Sequence, residues 1–441
     1  MSKTRREKST SLYQYDSAPP LYQAVPASLQ HIMVMFLSSV TVSHLLCSAA
    51  GASLETKAMM IQYCTIMAGI ATLLQTVPRR GLGSCVPVVV GAGSTFMPTM
   101  TVIAAEYGLP AVFGAQILCA AVTILIGFSL NSIRRFFPPL VTGTIILVIG
   151  LSLFPIAVKM MAGGSGSPTY GGWKNWTVSL ITALTVVILN LFAKGFAKII
   201  SVLLGAVVGY LCAGAMGMID FSPVGQAGLL SLPRLFPFGI DFEVAAILPV
   251  VLITIVNVMQ TVGDLTGATA GGMDREPTGK ELSEGVTATG VSTLLGALIG
   301  APPVSTYSQN VGLVSMTKVV SRRVMVIIGI LMLGFGVFPK LSAVMATMPS
   351  PVVGGNTLIV FGLITMTGLK LIASEPLTAR SSTIVGTAVA MGMGFSMVPK
   401  ESFSCFPGTV ATLLTTPVVA AGVMVFALNL LAPKSADGQG A

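Results

Sequence analysis

Two amide side chains and a tyrosine lie together in the stretch "YSQNVGLVSMTK", Tyr307 to Lys318, between two apolar runs. Gln309 and Asn310 each offer N–H donors and a carbonyl acceptor, which suits the edge of a planar ligand rich in carbonyl groups. Gly312 lets a ligand approach the backbone. Such amides can instead join membrane helices to one another, at about 0.6 kcal/mol each. Their position in the chain has to decide between the two roles.

The composition of the chain predicts a membrane protein. Of its 441 residues, 53% are hydrophobic and 9% are charged, against about 25% charged residues in soluble proteins. The formal net charge is +9, but the basic residues occur in pairs at the ends of apolar runs. This placement indicates membrane topology and not a nucleic-acid-binding patch. The six cysteines are scattered without a disulfide or metal-ligand spacing, so we expect neither a metal site nor a cofactor.

Hydropathy and helix breakers predict fourteen membrane spans. They lie at residues 28–49, 58–77, 83–104, 109–130, 137–161, 175–193, 197–218, 243–265, 287–301, 302–317, 323–345, 351–373, 382–397 and 407–432. If both termini are cytoplasmic, eighteen Lys and Arg residues lie inside and six outside, as the positive-inside rule expects. The inner set is Lys3, Arg5, Arg6, Lys8, Arg79, Arg80, Arg134, Arg135, Lys194, Lys198, Arg275, Lys280, Lys318, Arg322, Arg323, Lys370, Arg380 and Lys434.

An internal repeat joins the two halves of the chain. The segments "PLVTGTIILVIGL" (Pro139 to Leu151) and "PVVGGNTLIVFGL" (Pro351 to Leu363) match at six of thirteen positions and are 212 residues apart. They belong to the fifth and twelfth predicted spans and must therefore cross the membrane in opposite directions. An inverted repeat of seven plus seven spans would produce this pattern, which is characteristic of secondary transporters. Chance similarity between two apolar, glycine-containing helices is the alternative.

The third and tenth spans correspond to each other in this repeat, and both look interrupted. The third contains "CVPVVVGAGSTFMPTM" (Cys85 to Met100), and the tenth begins with Pro302 and Pro303, which cannot continue a helix. Each predicts a short extended piece followed by a half-helix. Interrupted segments at matching positions in two halves point to a substrate site near the middle of the membrane. The two half-helix N-termini would direct unpaired amide groups there.

The stretch "QNVGLVSMTK" resembles the signature of the nucleobase–ascorbate transporter family, also known as the xanthine/uracil permease type. The matching positions are Gln309, Asn310, Gly312, Thr317 and Lys318. The likeness extends over nearly the whole chain, through "LQH" (Leu29 to His31), "GAGSTFMP" in the third span and "VGD" (Val262 to Asp264) in the eighth. Glutamine at the first position of the signature is similar to the purine branch of the family, and Tyr307 stands where the family places an aromatic ring beside the substrate.

The resemblance implies an all-α membrane protein with fourteen transmembrane segments, divided into a core and a gate domain and working as a homodimer. The core domain would comprise residues 28–130 and 243–345, and the gate domain residues 131–242 and 346–432. Cytoplasmic tails would occupy 1–27 and 433–441. A purine substrate would bind between the third and tenth spans. It would be carried by movement of core against gate, coupled to H⁺ or Na⁺, across the plasma or inner membrane.

The chain also departs from the family pattern at positions linked to binding and coupling. The usual acidic residues of the eighth and ninth spans appear as Gln260 and Thr289, neither of which can titrate. In the third span the usual Ser-Phe pair aligns with Gly93 and Ser94, leaving Phe96 as the nearer aromatic residue. Gln260, Ser94 and Phe96 therefore join Gln309, Asn310, Gly312 and Tyr307 as candidate substrate-binding residues.

Asp264 is the main carboxylate left inside a span, where a buried charge is costly and points to function. A cap near the end of the eighth span is the equally weighted alternative. His31 is a candidate for orienting the core domain, or is a buried neutral histidine. With Thr289, Thr317 and Lys318, these two residues form the candidate coupling and conformational set.

The favoured function is a secondary-active purine permease of the xanthine/urate class. An anion exchanger of the sulfate-transporter type shares the expected architecture, and a nucleobase facilitator without ion coupling is a third option. An intramembrane enzyme would need a nucleophile with its base or a metal cluster, and neither is visible in the sequence.

Overall fold

The computed structural model describes residues 12–77, 81–133, 138–164, 166–226 and 228–432. Up to the middle of the chain, the helices are α1 (Leu21–Ala49), α2 (Leu54–Thr76), α3 (Met97–Ile133), α4 (Pro139–Met161), α5 (Trp173–Phe192), α6 (Phe196–Ile199), α7 (Ser201–Ala215) and α8 (Ser222–Gln226). They are followed by α9 (Val244–Met273), α10 (Gly279–Ile299), α11 (Ser308–Thr317), α12 (Arg322–Val337), α13 (Pro339–Ala346), α14 (Ser350–Ile372), α15 (Ala379–Ser396), α16 (Gly408–Thr415) and α17 (Pro417–Leu431). The two strands are β1 (Val90–Ala92) and β2 (Val304–Thr306).

The described residues form a helical, multi-span membrane protein, as the sequence predicts. Eight of their helices are long and apolar enough to cross a bilayer, and the bent pair α12–α13 raises this number to nine. One of the eight, α3, contains both the third half-helix and the fourth span. The seventh, tenth, thirteenth and fourteenth predicted spans coincide with shorter or less apolar helices, namely α6–α7, α11, α15 and α16–α17.

Several helix boundaries differ from the predicted ones. Helix α1 begins at Leu21 and not at residue 28, and it continues through Pro26, which lies inside the helix. Helix α10 begins at Gly279 because Thr278 and Glu281 form a reciprocal capping box there. Within α3, Gly108 adopts a φ of 82° and separates the half-helix from the following span without a loop.

Helices α4 and α14, which contain the two repeated segments, pack closely in opposite directions. A Cβ atom added to Gly150 would lie 2.1 Å from the Thr365 hydroxyl, and one added to Gly368 would lie 2.4 Å from the Leu147 backbone nitrogen. Glycines therefore allow the two helix backbones to approach each other, as small residues do in membrane interfaces. The antiparallel arrangement agrees with the opposite directions that the span parity predicts.

One end of the molecule collects lysines and is called the lysine end below. Helices α9 and α11 both end there on residues in the left-handed conformation, Asp274 and Lys318, whose carboxylate and ammonium groups are 2.6 Å apart. Lys370 lies in the last turn of α14 at the same end. Nine further basic residues of the predicted inner set fall outside the described residues, as does the predicted C-terminal tail 433–441: Lys3, Arg5, Arg6, Lys8, Arg79, Arg80, Arg134, Arg135 and Lys434.

Candidate functional site

The third and tenth spans are interrupted in the structure as the sequence predicts. Strands β1 and β2 pair antiparallel, with Val90 opposite Thr306 and Ala92 opposite Val304. After β1 a short 3-10 turn, Ser94–Phe96, leads into α3, and after β2 the chain enters α11 through Tyr307. The strands pair part of their backbone groups with each other, and the Thr72 side chain of α2 bonds both the N–H and the carbonyl group of Val90. Lipid would offer these groups no partner. The two helix starts are thereby brought to the same place.

A cavity of about 460 Å³ lies beside these two helix starts. One wall comes from the strand–helix junctions and α9, and includes Ser94, Thr95, Gln260 and the segment 305–309. The opposite wall comes from α4 and α14. The volume falls within the range of about 300–1,000 Å³ that is typical of small-molecule sites. The α4–α14 wall is largely apolar, although it also carries Thr367 and Lys370. A largely apolar wall facing a polar one suits a flat heterocycle whose edge carries hydrogen-bonding groups.

Three polar residues on one face of α9 follow the course of β2. Asn257, Gln260 and Asp264 have i, i+3, i+7 spacing, which places them on one side of a helix. Asn257 Nδ2 donates to the Val304 carbonyl oxygen at 3.5 Å, and Gln260 Nε2 donates to the Thr306 carbonyl oxygen at 3.3 Å. These contacts hold the extended segment against α9 and fix the start of α11.

Asp264 lies at the end of this row, where the chain passes from β2 into α11. Its Oδ2 accepts from the Thr306 hydroxyl at 2.5 Å, and its Oδ1 accepts from the Ser308 hydroxyl at 2.7 Å. Both carboxylate oxygens are therefore occupied by hydroxyl donors, and the side chain is buried. Asp264 does not line the cavity itself, but Thr306 and Ser308 do. A change in the charge of Asp264 would therefore alter the hydrogen bonds of these two residues in the cavity wall.

Five of the seven candidate substrate-binding residues line the cavity: Gln309, Gln260, Tyr307, Ser94 and Gly312. Gln309 is exposed to the cavity, whereas the Gln260 carbonyl group already accepts from the Thr95 hydroxyl. Tyr307 is 5% exposed, and its hydroxyl donates to the Ala92 carbonyl oxygen at 3.0 Å. Around Gly312 there is open space, since an added Cβ would meet nothing within 4 Å. The glycine leaves the backbone of α11 accessible.

The other two candidates are placed away from the cavity. Asn310 is fully buried, and its Nδ2 donates to the His31 carbonyl oxygen at 3.3 Å, which ties α11 to α1. Its Oδ1 is buried and has no partner among the described residues. Phe96 is 1% exposed and packs in the core formed by α1, α3 and their neighbours. The two amides of the "QN" pair thus point to different surroundings.

The candidate coupling residues are distributed over the molecule. His31 is buried in α1, and its Nδ1 has no partner among the described residues. Thr289 accepts from the Gln75 amide at 3.1 Å in a contact between α10 and α2. Thr317 caps the last turn of α11 by donating to the Leu313 carbonyl oxygen. With Lys318 at the exposed end of that helix, only Asp264 of this set lies close to the cavity wall.

The sequence did not indicate Lys370, Thr95, Thr306 and Ser308 as cavity residues, although all four line it. Lys370 was visible only as a basic residue at the end of an apolar run. Among the described residues that line the cavity, it is the only one with a formal charge. Thr306 and Ser308 flank Tyr307, and alternation along an extended segment would have been the signal for their shared direction.

A model of the permease family matches residues 22–401 of the chain. The chain is 34% identical over 421 residues to the uric acid permease PucK of Bacillus subtilis (strain 168), which covers 94% of this chain and 97% of that protein. It is 33% identical to the xanthine permease of the same organism, over 91% of this chain and 92% of that protein. Among solved structures, the transmembrane domain of the cyanobacterial bicarbonate transporter BicA is similar in fold. The TM-score is 0.56 at 13% identity, over 91% of this chain and 98% of that one.

Proposed function

The chain belongs to the xanthine/uracil permease family, and we propose that it is a secondary-active purine permease of the xanthine/urate class. Two relatives similar over nearly their whole length are named for uric acid and xanthine. The proposed substrate is a flat oxopurine whose edge carries N–H and carbonyl groups. The observation that carries the proposal is the 460 Å³ cavity at the paired strand–helix junctions, which has the Gln309 amide exposed to it.

In the proposed binding mode, the oxopurine ring enters between the apolar wall and the polar wall. Gln309 offers a donor and an acceptor to the ring edge, and the backbone N–H groups of Ser308 and Gln309 at the start of α11 offer further donors to a carbonyl oxygen. Ile146 and Ile149 of α4 cover one ring face. Ser94, in the turn after β1, and Gln260, on α9, flank the purine ring. The Tyr307 ring packs beneath the purine ring.

The proposed transport cycle is an elevator motion between two domains. The core domain comprises residues 28–130 and 243–345 and contributes the polar wall. The gate domain comprises residues 131–242 and 346–432 and contributes the apolar wall. This division assigns the two walls of the cavity to different domains, so a relative movement would carry the substrate across. An inverted repeat of seven plus seven spans, cytoplasmic termini and a homodimer complete the proposal.

Asp264 is the proposed coupling group for a symported cation, H⁺ or Na⁺. A carboxylate held by the hydroxyls of Thr306 and Ser308 can pass its charge state to the binding segment, because those hydroxyls can donate or accept. Gln260 and Thr289 cannot exchange protons. The His31 carbonyl, which receives Asn310, links α1 to the same segment, and Thr317 and Lys318 fix its far end.

An anion exchanger is the second candidate, because the BicA domain has a similar fold and Lys370 brings a positive charge to the cavity. Uptake of labelled xanthine and urate separates the candidates. Cells without their own purine transport should accumulate the label when they express this chain, and accumulation against a gradient should depend on pH or on sodium. Equilibration that ignores both would identify a facilitator. Bicarbonate or sulfate exchange without purine uptake would refute the purine proposal.

A further inference from the structure

The seam between α1 and α14 narrows from the lysine end to the far end of the molecule. These helices run antiparallel: Met33 and Leu363 both line a cavity of about 280 Å³ near the lysine end. Further along, Leu37, Thr41 and Leu45 of α1 face Asn356 and Phe361 of α14, around a void of only about 30 Å³. The space between the two helices is therefore wide toward the lysine end and narrow toward the far end.

A hydrogen bond crosses this seam beyond its narrow part. His44 Nε2 and Ser350 Oγ are 3.1 Å apart. Ser350 is the first residue of α14, and His44 lies near the last turn of α1. The histidine is 1% exposed, and its Nδ1 has no partner among the described residues. Ser350 therefore supplies the hydrogen-bond partner of a buried imidazole.

We propose that the His44–Ser350 hydrogen bond is a latch that holds the far end closed while the cavity is open toward the lysine end. The inference rests on the proposed function, because α1 belongs to the proposed core domain and α14 to the proposed gate domain. When core slides against gate, these two groups must separate. The imidazole then gains water as its partner, so the bond favours the closed state over the far-side-open state by the net value of one hydrogen bond.

Ser350→Ala removes the hydroxyl with little change in volume. The net strength of one hydrogen bond predicts a shift of roughly 2- to 12-fold in the closed-to-open ratio. Ser350→Thr keeps a hydroxyl and should behave like the parent. Ser374→Ala is the matched control, because its hydroxyl caps the other end of α14 by donating to the Leu371 carbonyl oxygen and does not reach α1.

The first measurement needs no substrate. Thr41→Cys places a thiol in the narrow part of the seam, in a background where the exposed Cys405 is replaced by serine. A membrane-impermeant maleimide applied at the far end should label this cysteine roughly 2- to 12-fold faster when Ser350→Ala is present. His44→Leu should have the same effect, and the double variant should add nothing to either single change.

The second measurement uses transport. In right-side-out and inside-out vesicles, Ser350→Ala should lower the half-saturation concentration for xanthine at the far end and raise it at the lysine end. Equal labelling rates in parent and Ser350→Ala proteins, or additive effects of the two single changes, would overturn the latch. Absent purine uptake together with faster labelling would refute the proposed function and keep the latch.

Discussion

Gln309→Ala is the sharpest perturbation of the proposed site, since the structure separates its effect on binding from its effect on stability. The Gln309 side chain lines the cavity and is exposed there. Within the described residues it makes no side-chain hydrogen bond to the protein. Removing the amide therefore breaks no internal contact, and the free energy of unfolding should change by no more than about 0.5 kcal/mol.

The expected loss in binding follows from the number of hydrogen bonds. One donor and one acceptor lost to an oxopurine edge, at about 0.5–1.5 kcal/mol each, amount to about 1–3 kcal/mol. This corresponds to an affinity roughly 5- to 150-fold weaker. Calorimetric titration of purified protein with xanthine measures the dissociation constant, and uptake in transport-null cells measures the half-saturation concentration. Both should rise together.

A matched control is Gln23→Ala, which removes an exposed glutamine from the first turn of α1, away from the cavity. Its thermal stability and uptake should equal those of the parent. If Gln309→Ala leaves the dissociation constant for both xanthine and urate unchanged, the amide does not contact the substrate and the binding mode is refuted. If Gln309→Ala strongly lowers thermal stability, the Gln309 side chain has a structural role in the protein besides substrate binding.

Three further variants test other parts of the structure. Asn310→Ala should lower the free energy of unfolding by about 1–3 kcal/mol, because it removes a buried hydrogen bond; unchanged thermal stability would contradict this role. Asp264→Asn should retain binding in calorimetry, because the surrounding hydroxyls can reverse their bonds, but should abolish pH- or sodium-driven accumulation; retained concentrative uptake would exclude Asp264 as coupling group. Gly368→Leu should destabilise the α4–α14 contact by at least about 1–3 kcal/mol through overpacking, whereas Gly362→Leu, where an added Cβ meets nothing within 4 Å, should melt like the parent.

The interrupted spans could be predicted because their signal is local. Pro302 and Pro303 cannot continue α10, and Gly300 ends that helix in the left-handed conformation. The β-branched run before Gly91 likewise favours an extended piece. The register that places Val90 opposite Thr306 could not be predicted. It depends on contacts between residues more than two hundred positions apart, which local sequence does not encode.

The cavity lining was predicted only in part, for a related reason. A residue type shows what chemistry a side chain can perform but not which way it faces on its helix. Gln309 and Asn310 are neighbours in an α-helix and therefore point about 100° apart, so one reaches the cavity and the other the α1 backbone. Lys370 is brought to the site by the packing of α14 on α4. The sequence of the span that contains Lys370 does not show that α14 packs against α4.

The row of polar residues on α9 bears on the proposed role of Asp264 in coupling. Gln260 accepts from Thr95 and donates to the Thr306 carbonyl, so it bridges the two interrupted spans. Asp264 holds the next two hydroxyls of the same strand–helix junction. A neutral amide in the bridging position keeps this geometry at any pH, since it cannot titrate. Any charge change on α9 is then confined to Asp264, one helical turn further toward the lysine end.

Replacing Gln260 by glutamate would add a second titrating group beside the first. We therefore expect Gln260→Glu to shift the pH dependence of uptake, whereas Thr289→Glu, at the separate contact with α2, should disturb packing without that shift.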